Sequence, residues 1–436
     1  MSGRAPDWLS VTEALAHMLA QVAPLGTVRA ALGAAGGRIL AEPVISPLDL
    51  PPWDNSGMDG YAVLAADVRG ASEAAPVQLR IAGAVLAGQL ATTPLERGTA
   101  IRIMTGAPVP PGADSVVRIE HTRAESEQVV IVLSDADAGR NIRPRGEDIR
   151  AGETVLAAGT LVRASEAGVL ASLGIADVPV QRAPHVAVLA TGDELVDVTE
   201  FAEVVAGRRI VNSNTYALQA ALHSLGAVVE PLGIARDTRA SLRVCLERAL
   251  GADALIVTAG ASVGEHDLVK DVLEDMGMSA GLWRVRMRPG SPFGFGTVRR
   301  GQGAPLPVFS LPGNPVSTVV TFEVLVRPVL RRLLGCARLY PTTVRVHAAE
   351  PIPSRPGLMH FLRVRLAQDG SGTWQARLTG AQGSGMLTSL TRADALLIVP
   401  ESSAGLAAGE PALALPLWAT DGAQGAPRFE MTSEEA

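Results

Sequence analysis

From about residue 186 the chain changes its hydrophobic period, and that change constrains the fold more than any other feature. Three short apolar runs, in HVAVLATGDE, DALIVTAGASVG and LPVFSLPGNP, each end in a Gly-rich turn. Helical patterns at 213–225, 239–250, 268–276 and 316–334 follow or separate them. Strands alternating with helices of about 10–15 residues dictate βαβ units on a parallel sheet. In such a sheet, ligands bind beyond the carboxyl ends of the strands. The flanking segments have a different period. Ser10 to Val22 reads as an amphipathic helix with Ser10 and Glu13 at capping-box spacing. Residues 60–135 alternate short apolar runs with turns, a β pattern. Residues 141–160 are turn-rich, 164–173 form a short helix, and short strands return after Gly335. The tail beyond about 420 is polar, has few apolar anchors, and is expected to lack fixed structure.

Composition removes several function classes. With 47% hydrophobic and 19% charged residues in 436, most of the chain must bury cores. A net charge of −6 argues against a nucleic-acid partner but leaves room for a local arginine cluster around a small anion. The two cysteines, Cys245 and Cys336, exclude a disulfide scaffold and fit a reducing compartment. No apolar stretch approaches about 18 residues and no apolar leader opens the chain, so a cytoplasmic protein without membrane contact is expected. Lys270 is the only lysine, so any motif that elsewhere uses Lys is to be read with Arg in mind.

Three strand ends carry the chemistry. They are Thr191-Gly192-Asp193-Glu194, the stretch Gly260–Asp267 with Ser262, and Pro312-Gly313-Asn314-Pro315. Asn314 and Pro315 suit the N-cap and first position of a helix. Glycines admit a ligand to the backbone, and free N–H groups favour an anion, so a phosphate or oxyanion site is expected on this edge. Glu194, Asp237 and Asp267 each follow a strand, and such hard oxygen donors suit Mg²⁺ with substrate phosphate. Each alone also fits a cap or a solvated charge. In WRVRMRPGSPFGFGTVRR, alternation places Arg284, Arg286 and Arg288 on one strand face, where they need an anion or carboxylates. The loop Pro51–Ala62, with Asp59, is a rigid turn rich in Pro, Trp, Met and Tyr, and Arg102–Asp114, with Thr105, is a second dense stretch. The histidines lack zinc-ligand spacing, and no P-loop, nucleophile elbow or dinucleotide fingerprint is present.

DNSGMDGYAV, IRIMTGAPVPPGAD, NIRPRGEDIRAGE, ATGDEL, SVGEHDLVKDVL, RPGSPFGFG and SLPGNPVST occur in one order that resembles the MoeA family, the molybdopterin molybdenumtransferases, and the C-terminal region of gephyrin. The resemblance runs from about residue 8 to about 418. It implies a multidomain α/β plus β fold: a split N-terminal helical and dimerisation domain (1–50 with 141–182), a β insertion domain (51–140), a MoaB-like α/β domain with a parallel sheet (183–336) and a C-terminal β-barrel domain (337–420), before the tail 421–436. It implies a homodimer that transfers molybdenum from molybdate to adenylylated molybdopterin, with Mg²⁺, releasing AMP. Contacts with the upstream adenylyltransferase and with downstream molybdoenzyme maturation proteins would follow. By the same resemblance Asp59, Glu194, Asp237 and Asp267 are the catalytic and metal-binding carboxylates. Thr105, Asp148, Ser262, Arg284, Arg288, Asn314, Arg363 and Ser384 are the substrate-binding residues. Arg284 and Arg288 stand where the family usually has Lys, and RPGSP stands for KPGKP. A non-catalytic molybdopterin carrier or scaffold, and a paralogue tuned to tungstate, are the alternatives.

Overall fold

The computed structural model describes residues 8–86, 88–89, 92–258, 268–301 and 303–417. These form two compact units. The larger holds the chain up to Ala41, Gly159–Arg163 and everything from Asp177; the smaller holds Glu42–Ala158 and Ala164–Ala176.

The larger unit contains a six-stranded sheet in the order Val228–Ala235, His185–Thr191, Ala254–Thr258, Gly303–Leu311, Pro292–Arg300, Met278–Arg284. The first four strands are parallel, as the period predicts. His185–Thr191 and Ala254–Thr258 are almost wholly buried, because helices cover both faces, and they therefore read as unbroken apolar runs. Pro292–Arg300 runs antiparallel to both its neighbours, so the sheet is mixed rather than purely parallel. The turn between Arg300 and Gly303 is too short for a crossover and allows only a hairpin. Helices Ser213–Ser224 and Arg239–Arg248 start at Asn212 and Thr238, whose side chains accept backbone N–H groups. Pro315–Thr321 continues through a π turn, Phe322–Val326, into Arg327–Leu333. The widened turn precedes Pro328, which has no N–H to give.

The N-terminal helix, Val11–Leu19, has the expected capping box: Ser10 Oγ accepts from Glu13 N (3.2 Å), and Ser10 N donates to Glu13 Oε2 (2.8 Å). Its buried face, Val11, Ala14 and Met18, joins the core that contains Phe295, Leu325 and Leu330. The apolar stripe is thus covered by its own chain.

After Leu333 the strands Val344–Ala348, Met359–Gln368, Trp374–Leu378, Ala395–Val399 and Pro411–Pro416 close into a five-stranded barrel, since Met359–Gln368 pairs with both Trp374–Leu378 and Ala395–Val399. Closure leaves this small sheet no free edge within the ring. The link to the α/β sheet is the run after Arg284. Met287 and Arg288 leave that sheet and pair, parallel, with Met359 and His360 of the barrel.

The smaller unit has one six-stranded sheet, in the order Ser115–Arg118, Gly60–Val63, Thr99–Ile103, Val77–Val85, Val129–Val132, Thr122–Ser126. Gly60 sits in it because an added Cβ would lie 2.0 Å from the Val117 carbonyl oxygen.

Candidate functional site

Where the 287–291 run passes from sheet to barrel, it walls a cavity of about 850 Å³ in the larger unit. The other walls are Asn314 and Ser317 at the start of a helix, the segment Ile352–Leu358, the strand residues His360, Leu362 and Arg363, and the loop Gln382–Ser384. Gly290 (φ +103°) makes the passage possible, since a Cβ there would stand 2.3 Å from Thr321 Cγ2.

Among the described residues no carboxylate lines this cavity, while Arg288, Arg355 and Arg363 do. Arg363 is the extreme case. It is wholly buried, Nε donates to Ser389 Oγ (3.1 Å), Nη2 donates to the Gly383 carbonyl (3.1 Å), and Nη1 has no partner. Burial lowers its pKa below the usual guanidinium range. A buried cation without a counter-ion is costly, and such a group is retained where an anion completes it. The strand fixes it in place: Arg363 N donates to Gln382 Oε1 (2.8 Å), and Gln382 Nε2 donates back to the Arg363 carbonyl (3.1 Å).

The structure brings Arg288, Asn314, Arg363 and Ser384 to this one cavity. Asn314 stands at the N-cap position, but its side chain caps nothing; Nδ2 donates to Ser384 Oγ (3.1 Å). Arg284 is placed elsewhere. Its strand ends there, and its guanidinium lies 5.7 Å from the Trp8 ring centroid. Arg286 is answered by carboxylates, Glu401 at 2.5 Å and Glu13 at 3.6 Å, and donates to the Trp8 carbonyl. The expected row of three arginines on one face is therefore broken: the Leu9–Val285 bridge and the Met287–Arg288 pairing turn the chain between them.

The acidic strand ends form a second locus in the same unit. Glu194 follows His185–Thr191, Asp237 follows Val228–Ala235, and these strands are parallel neighbours. Asp193 N points at Asp237 Oδ2 and Asp237 N at Asp193 Oδ1, each at 3.4 Å. Arg209 and Arg236 both donate to the Asp193 carbonyl. Gly192 has φ +144°, and a Cβ there would be 2.6 Å from Glu194 Oε2, so glycine lets that carboxylate fold back over the turn. Among the described residues no three His, Cys, Asp or Glu converge as a metal cage. Glu194 and Asp237 remain exposed hard donors, the kind Mg²⁺ takes alongside water and phosphate. Ser262 and Asp267 lie outside the described residues.

In the smaller unit, Asp59 Oδ1 accepts from Thr105 N (2.7 Å) and Thr105 Oγ1 (2.6 Å), bonds that lower its pKa below the usual carboxylate range. Its loop is held on two sides. Gly106 N donates to the Ser56 carbonyl, Gly57 N to the Asn141 carbonyl, and Ser56 pairs with Ile142. Asp148 is exposed on the loop that follows, with its N–H donated to the Leu50 carbonyl (3.0 Å). Asp59, Thr105 and Asp148 thus belong to one set of interlocked loops.

His360, Ser354, Gln382 and Ser389 escaped the sequence reading. The available signal was polarity inside an apolar run, since MHFLRV interrupts a barrel strand with two basic residues.

Comparisons with known proteins cover most of the chain. Three family descriptions match in order: MoeA N-terminal region (domain I and II) over residues 9–174, probable molybdopterin binding domain over 187–332, and MoeA C-terminal region (domain IV) over 345–417. The chain is 37% identical over 396 residues to the molybdopterin molybdenumtransferase of Nostoc sp., covering 88% of each. It is 38% identical over 381 residues to molybdopterin molybdenumtransferase 2 of Mycobacterium tuberculosis, covering 86% of this chain and 91% of that one. The crystal structure of the molybdopterin biosynthesis moeA protein from Pyrococcus horikoshii superposes with a TM-score of 0.79 at 29% identity, covering 94% of this chain and all of that one. A chain that carries all three regions in order, in this fold, belongs to the MoeA family, the molybdopterin molybdenumtransferases of molybdenum cofactor biosynthesis.

Proposed function

We propose that this enzyme inserts molybdenum from molybdate into adenylylated molybdopterin, with Mg²⁺-dependent release of AMP. The observation that carries the reading is the buried Arg363 guanidinium with an unpartnered Nη1 in a cavity that no described carboxylate lines. A tetrahedral oxyanion offers the acceptors this guanidinium lacks. Arg288 adds charge at the mouth, and Ser384, fixed through Asn314, adds a hydroxyl. The oxyanion is drawn in by charge, stripped of water, and held by neighbours tied down by their own hydrogen bonds.

Cleaving the phosphoanhydride of the adenylylated substrate requires neutralising phosphate charge. Bound Mg²⁺ supplies that neutralisation as a Lewis acid. Glu194 and Asp237 are the described residues suited to hold it, and Asp267 is proposed to join them. Asp193 orders this locus, since its carbonyl collects Arg209 and Arg236 and its carboxylate accepts the Asp237 N–H. Asp59, Thr105 and Asp148 are proposed as substrate contacts of the smaller unit, on their chemistry and exposure.

The test measures AMP release and cofactor metal content with purified adenylylated molybdopterin, Mg²⁺ and molybdate, with tungstate in a parallel arm. Molybdate-dependent AMP release that falls at least tenfold in Arg363→Met and Asp237→Asn supports the reading. Release that needs no molybdate and persists in both variants overturns it. The tungstate arm separates a tungsten-selective enzyme from a molybdenum-selective one.

A further inference from the structure

The cavity contains a histidine that the oxyanion reading has not used. His360 is 8% exposed and lines the cavity, and its Nε2 has no hydrogen-bond partner. Two other buried atoms without partners, Ser354 Oγ and Arg363 Nη1, belong to residues that line the same cavity. His360 and Arg288 are register partners in a parallel strand pair, so their side chains rise on the same face. Among the described residues every ionisable side chain lining the cavity around the ring is basic: Arg288 from the paired strand, Arg355 from the segment before, and Arg363 from its own strand. The strand on its other side, Ala395–Val399, carries no charge, and Glu401 just beyond it is committed to Arg286. Burial, then Arg288, push the imidazole pKa below its usual range, against a hydrogen bond to the Arg355 backbone. These surroundings favour the neutral ring.

We propose that His360 is a proton-coupled ligand of this cavity: a bound oxyanion contacts Nε2 of the protonated ring, so that anion and proton bind together. The inference rests on the oxyanion reading of the cavity. An imidazolium beside Arg288 alone is a repelled pair, whereas with a dianion between them each cation is attracted more than it is repelled. The proton comes from solvent, bonds to Nε2 and leaves with the anion. No bond of the anion is broken. The consequence is a retention device: molybdate binds more tightly as pH falls, and proton release accompanies its departure.

The experiment is calorimetric titration of the full-length protein with molybdate from about pH 6.5 to 8.5, in two buffers of different ionisation enthalpy, where molybdate itself remains a dianion. The expected result is proton uptake on binding and an affinity that rises by up to about tenfold per pH unit lowered. His360→Gln flattens this dependence. Histidine-ring NMR of the unaltered protein, with the signal assigned through that variant, shows the His360 pKa rising when molybdate is added. Molybdate binding without proton uptake, or an unchanged His360 pKa, overturns the proposal and leaves the oxyanion cavity standing. No molybdate binding by the unaltered protein at any pH overturns both.

Discussion

Asn314 Nδ2 donates to Ser384 Oγ across 3.1 Å, tying the start of a helix in the α/β domain to a loop of the barrel. Val316 N donates to the Ser384 carbonyl over the same distance, so residue 384 is held through both backbone and side chain. The cavity wall is therefore set by two folds meeting at one serine. That suggests a charge test. Asn314→Ala removes the donor and costs about 0.5–1.5 kcal/mol of stability. Asn314→Asp adds an anion to the wall and weakens molybdate binding by several-fold more than Asn314→Ala does. Equal affinities in a molybdate titration of the two variants would remove Asn314 from the site.

Arg363 is expected to trade stability for binding. Replacing the uncompensated guanidinium by Met forfeits its bonds to Ser389 and Gly383 but also ends the burial of a charge. Arg363→Met should melt, without ligand, within a few degrees of the unaltered protein or above it. The rise in Tm that molybdate gives the unaltered protein should vanish. Differential scanning fluorimetry with and without molybdate reads both, and a retained molybdate shift contradicts the assignment.

In the smaller unit Asp137 is fully buried, takes Arg118 Nη2 at 2.9 Å and lies 2.9 Å from His121 Nδ1. Burial raises its pKa, but the Arg118 side-chain and backbone hydrogen bonds outweigh this and bring it to about 2. A depressed carboxylate pKa means the unfolded chain binds the proton more readily. The stabilisation, about 2 kcal/mol, is therefore present above about pH 4 and lost as pH falls toward 2. Asp137→Asn should lower stability at pH 7 and matter much less near pH 2.5. Urea unfolding at the two pH values checks this, and an equal cost at both would contradict it.

Gly192 tests the acidic strand ends. Ala at φ +144° strains the backbone, and its Cβ displaces the Glu194 carboxylate. Gly192→Ala should cost about 1–3 kcal/mol and raise the Mg²⁺ concentration needed for half-maximal AMP release several-fold. An unchanged Mg²⁺ dependence would remove Glu194 from the metal site.

Much of this protein was legible from local pattern. The 3.6-residue and 2-residue periods placed the parallel strands, the helices between them and the final run of strands, because burial of one face imposes those periods on any sequence. The capping box at Ser10 and the turn at Gly192 were likewise readable, being set by residues within a few positions of one another. What local pattern could not decide was which residues meet. Arg284, Arg286 and Arg288 have one spacing but three fates: a stack on Trp8, ion pairs with Glu13 and Glu401, and a cavity wall. The apolar face of the N-terminal helix is covered by Phe295, Leu325 and Leu330, far along its own chain. His360 acquired its chemistry from Arg288, 72 positions earlier, through a strand pair only two residues long. Period and composition determined the elements, since those follow from nearest neighbours along the chain. The charge balance of the cavity, and hence which cation lacks an anion, was decided only where strands distant in sequence were brought side by side.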